Sequence, residues 1–367
     1  LASKSLIVPL PLNAKPQLKT LVCRPARTHN FGLRDGEFCV QTEIPLIDLA
    51  PLQNGLAGAL EIAPLLNRAL EETGFLIIAN HGVPQDLIER TFTEAKRFHD
   101  QPMETKHALR MNAHNNGYMA EGRYNVRTSR VSEKSVKPDA NEAFFLKRER
   151  SADDPLLLAD RRFAGPNQWP DNLPGFRETV IEYTDAVDVM TKRLLPALAL
   201  SLDLDAEFFS TAFGESQFSF RLSHYPPVDR EDGLYGIAPH TDVNFMTFLP
   251  QSGVPGLQIA TKPGAWQDVP HVPNSFVVNT GDTLHRWTNG RYLSTPHRAL
   301  PPVDQHRYAI PFFLGPHLDT LIDCLPTCID TEHPARFPPI TYSNYMTWWY
   351  DANYNAADQD DLEVVNT

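Results

Sequence analysis

The chain has 367 residues, a formal net charge of −12, and 42% hydrophobic against 21% charged residues. That balance is ordinary for a soluble globular protein, and the length suffices for one large domain or two smaller ones. The acidic excess argues against a nucleic acid or an anionic membrane surface as partner, and no apolar run approaches the ~20 residues of a membrane span.

Four cysteines are too few for a disulfide scaffold. Cys324 and Cys328 have a C-x-x-x-C spacing, but Pro326 splits them and no His or Cys neighbours them, so no metal is expected there. The opening residues lack the apolar core of a secretory signal, and a reduced, cytoplasmic chain is expected. The 32 prolines, spread along the chain, suit short strands and turns better than long helices.

Residues 1–40 read as an extended arm rich in proline and basic residues. "EIPLIDLAPL" (43–52) reads as a strand and a turn. Residues 56–73 place apolar side chains at helical spacing, with Gly74 as a helix stop. "FLIIANHGVP" (75–84) follows as a buried strand, then an amphipathic helix over 86–100 with Leu87, Phe92, Ala95 and Phe98 on one side. Residues 107–140 are polar and loop-like, and long loops in compact chains are often functional. The longest helical pattern spans 177–204. From about 216 to 315, short β-rich runs alternate with Gly, Pro and Asn turns, the pattern of a sandwich, jelly roll or barrel. A closing helix is expected over 341–354, ahead of an acidic tail. The expected organisation is an arm (1–40), a helix-and-strand region (41–205), a β-core (206–345), and a terminal helix with its tail (346–367).

"APHTDVNFMTFLPQ" (238–251) sets His240 and Asp242 two residues apart in a run of β-formers. Alternate residues of a strand share a face, so an imidazole and a carboxylate are expected side by side. A third ligand is expected further on, and "GRYLSTPHRAL" (290–300) supplies His297. Two His and one carboxylate on one face of a metal leave positions open for O2 and a co-substrate, as non-haem Fe(II) requires; catalytic zinc uses a similar set with fewer open positions. The bland alternative is a surface His in a turn, with Asp242 turning the backbone. Ten residues past His297, Arg307 lies in the apolar run "HRYAIPFFL" (306–314). A buried guanidinium needs a partner, which is either a structural ion pair or a carboxylate ligand. Tyr225, ahead of a double proline in "RLSHYPP" (221–227), either reaches the same ligand or packs in the core.

At this point the chain resembles the Fe(II)/2-oxoglutarate-dependent oxygenases of the isopenicillin N synthase-like family. "IPLIDLAPL", "ALEETGFLIIANHGVP" and "NEAFFL" resemble its N-terminal region. "RLSHYPP", "GIAPHTDVNFMTFLPQ", "GLQI", "NTGDTLHRWTNGRYLSTPHRAL" and "RYAIPFF" resemble its catalytic region, in order, and about residues 43–350 are covered. The resemblance implies a mainly β fold with flanking helices, built on a double-stranded β-helix core, a distorted jelly roll. It implies Fe(II) on His240, Asp242 and His297. It implies 2-oxoglutarate as co-substrate, its distal carboxylate on Arg307 with Tyr225 assisting, and O2 as oxidant. "NTGDTLHRWTNG" (279–290) would be strand-turn-strand, with turns at Gly281-Asp282 and Asn289-Gly290. Two positions depart from the family pattern: Ala309 replaces the usual Ser, and Ser223 the usual Asn.

The activity implied is oxidation of a C–H bond of a small organic molecule by hydroxylation, desaturation or ring closure, releasing succinate and CO2. A family oxidase that does without 2-oxoglutarate and a non-catalytic ligand-binding β-fold are the alternatives. Substrate contacts are expected from Tyr118, Arg123, Arg127, Phe245 and Trp348. The expected partners are the small-molecule substrate alone, with the chain a monomer or weak homodimer.

Overall fold

Apolar runs and their breaks dictate the architecture of the computed structural model, which describes residues 43–122, 137–229, 231–262 and 264–353. In chain order the N-terminal elements are β1 (Leu46–Asp48), α1 (Leu56–Glu72), β2 (Phe75–Ala79), α2 (Gln85–His99), α3 (Met103–Ala108), β3 (Gly117–Met119), β4 (Glu142–Lys147), α4 (Pro155–Leu158), α5 (Phe176–Leu200) and α6 (Ser210–Phe213). There follow β5 (Gln217–Tyr225), β6 (Ile237–His240), β7 (Met246–Pro250), β8 (Leu257–Lys262), β9 (Ala265–Asp268), β10 (Phe276–Thr280), α7 (Asp282–Trp287), β11 (His297–Ala299), β12 (Arg307–Ala309), β13 (Phe312–Gly315), β14 (Leu321–Ile322), β15 (Ile340–Thr341) and α8 (Tyr342–Asn353). No helix of the described residues is long and apolar enough to cross a membrane.

α1 buries Ile62, Leu66 and Leu70 on one face. It ends where Gly74 takes φ +66°, a conformation that suits a residue without Cβ. β2 is apolar throughout because it is covered on both faces. It pairs parallel with β1 and antiparallel with β10, about two hundred residues away in sequence.

A nine-stranded sheet runs β1-β2-β10-β7-β13-β5-β4-β3, with β12 also paired to β5. A four-stranded sheet runs β6-β11-β8-β9. These two sheets are the double-stranded β-helix that the resemblance implied. One cavity is lined from both: by Ser219, Arg221, Ser223 and Tyr225 of β5 from the large sheet, and by Ile237 and His240 of β6 and His297 of β11 from the small one. The intervening residues of β5, Phe218, Phe220 and Leu222, join the main apolar core, where Phe220 meets Tyr183 of α5 at 5.3 Å between ring centroids. Alternation along one nine-residue strand thus separates site from core.

The strand-turn-strand expected over 279–290 is corrected. β10 ends at Thr280, and α7 takes Asp282–Trp287. Leu284 and Trp287, three apart, bury one face of that helix. Gly281 leads into it under the Asn244 carbonyl oxygen, which would lie 1.9 Å from an added Cβ. Asn289 and Gly290, at φ +53° and +86°, do form a turn, but they close the helix, with Gly290 N donating to His285 O at 2.8 Å.

Candidate metal centre

His240 is the last residue of β6 and His297 the first of β11, and the two stand opposite each other in the antiparallel register. Asp242 lies two residues beyond the end of β6, in the irregular link to β7, not on the same strand face as expected. The link still folds it back: His240 Nε2 is 3.7 Å from Asp242 Oδ1, and His297 Nε2 is 3.7 Å from Asp242 Oδ2. The three ligand atoms lie within 4.8 Å of one another, and all three residues are buried. Ligands at roughly 2.1 Å from a shared ion stand about 3–4 Å apart, so the spacing fits one metal.

The surroundings set which nitrogen faces that point. His240 Nδ1 donates to Ala238 O at 2.8 Å, and His297 Nδ1 donates to Thr295 O at 3.2 Å. A carbonyl only accepts, so each Nδ1 carries the proton and each Nε2 turns a lone pair inward. Thr247 Oγ1 and Asn279 Nδ2 donate to Asp242 Oδ2 at 2.6 and 2.7 Å, orienting the carboxylate. Burial, then the neighbouring His297, push the His240 imidazole down to about 3, so it is neutral at physiological pH. Burial opposes charge on Asp242, but His297, His240, Asn279 and Thr247 outweigh it and hold the carboxyl below its ordinary range. A neutral His240 imidazole and an ionised Asp242 carboxylate are in the protonation states in which such groups bind a divalent cation.

Arg307 lies across the same cavity. Its Nε donates to Val254 O at 3.3 Å and its guanidinium lies 4.7 Å over the Tyr225 ring. Its Nη1 is buried and has no hydrogen-bond partner among the described residues. The Ser223 hydroxyl is buried and unpartnered in the same way. Arg307 stands opposite Tyr225, and Ala309 opposite Ser223, in the pairing of β12 with β5. The two departures from the family pattern therefore face each other. A buried guanidinium nitrogen that faces a cavity without a partner can take an anionic ligand there.

The remaining expected contacts fare differently. Tyr118 is buried, with its hydroxyl donating to Glu142, and is absent from the cavity lining. Phe245 is fully buried among Phe209, Phe213 and Trp287, in the core. Trp348 is 53% exposed and stacks on Tyr345. Arg123 and Arg127 lie outside the described residues. Trp349, one position on, lines the cavity with Met346 and Tyr350. A signal for it existed: Tyr342, Met346, Trp349, Tyr350 and Asn353 are the buried face of α8, at helical spacing. Arg221, Thr247 and Asn279 were also missed, and only their tertiary neighbours reveal them.

A profile for the 2OG-Fe(II) oxygenase superfamily matches residues 216–316, and one for the non-haem dioxygenase in morphine synthesis N-terminal region matches 44–172. The 2-oxoglutarate-Fe(II) type oxidoreductase hxnY of Emericella nidulans is 35% identical over 328 residues, covering 86% of this chain and 92% of that protein. This chain belongs to the 2OG-Fe(II) oxygenase superfamily. Gibberellin 20 oxidase 1 of Arabidopsis thaliana is 28% identical over 331 residues, covering 89% of this chain and 83% of that one. Among solved structures, a full-length Neurospora crassa protein in complex with alpha-KG and thymine superposes with a TM-score of 0.72 at 28% identity, covering 83% of this chain and 95% of that one. The oxygenase is thus an iron- and 2-oxoglutarate-dependent dioxygenase acting on small molecules.

Proposed function

We propose that His240, Asp242 and His297 hold the Fe(II), and that Arg307, with Tyr225 and Ser223, holds the distal carboxylate of 2-oxoglutarate while a small organic molecule is oxidised at a C–H bond. The observation that carries this reading is the buried, unpartnered Nη1 of Arg307 in the cavity that also contains the two imidazoles and the carboxylate. Bound Fe(II) supplies the O2 and redox chemistry. The chain's own residues supply geometry. Ala238 O and Thr295 O keep the two imidazoles in the metal-binding tautomer; Thr247 and Asn279 aim the carboxylate. Arg307 sets the reach of the keto acid from the metal, and its planar fork suits a carboxylate. Trp349, Met346, Tyr350 and Phe313 give the substrate an apolar wall that excludes water and positions the C–H bond. No side chain is assigned as acid or base.

The acidic charge and sparse cysteines support an enzyme that works in the cytoplasm without nucleic acid or membrane as partner, and we propose a monomer or weak homodimer. Succinate release from 2-oxoglutarate, followed across a panel of small molecules under O2, tests the reading and identifies the substrate. His297→Ala abolishes release while circular dichroism shows an unchanged fold. Arg307→Ala raises the 2-oxoglutarate requirement by a hundredfold or so, at about 3 kcal/mol for a charge-assisted pair. An unchanged requirement in that variant removes Arg307 from the role given to it.

A further inference from the structure

On the face of β5 away from the cavity lies a second buried polar group. Glu142 of β4 stands opposite His224 of β5, and His224 Nδ1 donates to Glu142 Oε1 at 2.7 Å. Lys106 Nζ donates to Glu142 Oε2 at 2.7 Å, and the Tyr118 hydroxyl donates to the same oxygen. His99 Nδ1 is 3.2 Å from Glu142 Oε1, while its Nε2 donates to Leu222 O at 3.0 Å. With an ammonium already on one carboxylate oxygen and an imidazole N–H on the other, the group is a hydrogen-bonded strut and not the cage of a second metal. Ion clusters in an apolar layer are costly to bury, and this one connects to the strand that carries Arg307.

His306 and Tyr308, the neighbours of Arg307 on either side, both rest on His224. His224 Nε2 and His306 Nδ1 share a hydrogen bond of 2.7 Å, with the rings 5.0 Å apart and 25° from parallel. The Tyr308 ring lies 4.9 Å from that of His224, at 16°. β12 is three residues long and, among the described residues, pairs only with β5. Behind that short ladder, β12 rests on α2 and on the stack with His224, while Arg307 lines the cavity.

We propose that His224 is a positioning residue for Arg307, clamping β12 through His306 and Tyr308, and that acid loosens this clamp and with it the grip on 2-oxoglutarate. The proposal rests on Arg307 binding the distal carboxylate. The chemistry of the clamp is that of one shared proton. The bond between the imidazoles needs one lone pair, so it survives a single added proton and breaks when both rings are charged. His306 is exposed. The other titratable groups around His224 and Tyr308 are Lys96 and His99 from α2, Asp100 just past its end, Lys106 from α3, Tyr118 from β3 and Glu142 from β4. Burial opposes the charge on Glu142, but His224, His99 and Lys106 hold it far below the usual carboxylate range, so it stays ionised.

The test is calorimetric titration of Mn(II)-loaded protein with 2-oxoglutarate, and with 2-oxobutyrate, a keto acid lacking the distal carboxylate. The parent protein loses 2-oxoglutarate affinity about fivefold, the worth of one neutral hydrogen bond, between about pH 7.5 and pH 5.5, where imidazoles charge. 2-Oxobutyrate binding does not share that loss. His224→Phe, which keeps the ring stack and loses both bonds, is weakened about fivefold for 2-oxoglutarate at neutral pH and unchanged for 2-oxobutyrate. His306→Ala, a surface change that leaves the core intact, shows the neutral-pH weakening without the further loss in acid. The proposal is overturned if both variants bind 2-oxoglutarate like the parent at every pH, or if 2-oxobutyrate affinity falls in parallel. Arg307→Ala run alongside separates the two claims: if it too binds normally, the reading of Arg307 fails; if it alone is weakened, only the clamp fails.

Discussion

At the scale of single residues, the Arg307 end of the cavity differs from the family pattern at two facing positions. Ala309 lacks a hydroxyl, and Ser223, directly across the strand pair, offers one that is buried and unpartnered. The arginine charge remains, so the difference is one of degree. Ala309→Ser adds a hydroxyl beside Arg307 and tightens 2-oxoglutarate binding by roughly fivefold, about 1 kcal/mol for one added hydrogen bond. Comparison of the 2-oxoglutarate KM in the two proteins checks this, and an unchanged KM means Ser223 already satisfies the carboxylate. Arg307, His240, Asp242 and His297 were each picked out in the sequence with alternatives open, and the family resemblance gave them their expected roles. Tyr118 and Phe245 misled because an aromatic residue carries no mark of which face it occupies. Tyr118 serves the Glu142 group and Phe245 fills the core.

At the scale of elements, helical periodicity decides between two adjacent tryptophans. The buried face of α8 contains Trp349, and Trp348 points outward. Trp349→Ala lowers stability by about 3 kcal/mol, as large-to-small core changes do, and reduces succinate release by opening the substrate wall. Trp348→Ala shifts stability by no more than about 0.5 kcal/mol. Thermal melts of both variants test the assignment, and equal losses would refute it. α7 teaches the opposite lesson. Its glycine and asparagine looked like hairpin turns, yet Gly281 is required by the close approach of Asn244, and the Leu284 and Trp287 pair makes the helix.

Across the whole molecule, the small sheet with His240 and His297 is tied to a buried carboxyl that resists ionisation. Asp139 Oδ1 accepts from Ala238 N at 2.8 Å, two residues from His240. Burial pushes the Asp139 carboxyl up to about 7, against the lowering effects of that bond and of Arg221. Its unfolded value is near 3.9. Stability from the protonated form is therefore complete below that value and is lost as pH rises toward about 7. Asp139→Asn keeps the acceptor and removes the titration, so it stabilises the fold above neutrality by on the order of 3 kcal/mol and by little at acid pH. Melting curves at pH values on either side of 7 check the sign, and an Asn variant less stable in the alkaline range contradicts it.

What the sequence by itself determined was the chemistry and the kind of fold. Alternating apolar runs between turns point to a β-core, and the ordered motifs around His240, Asp242, His297 and Arg307 resemble one family and so restrict what that core is expected to hold. Only the tertiary structure decided which other side chains share the cavity. β5 meets β4 and β12, and β6 meets β11, across gaps that no local pattern encodes. Ser223 against Ala309, or His224 against His306 and Tyr308, are consequences of strand register. Register is set by long-range packing of whole sheets, and a shift of one residue would turn every one of those side chains to the other face.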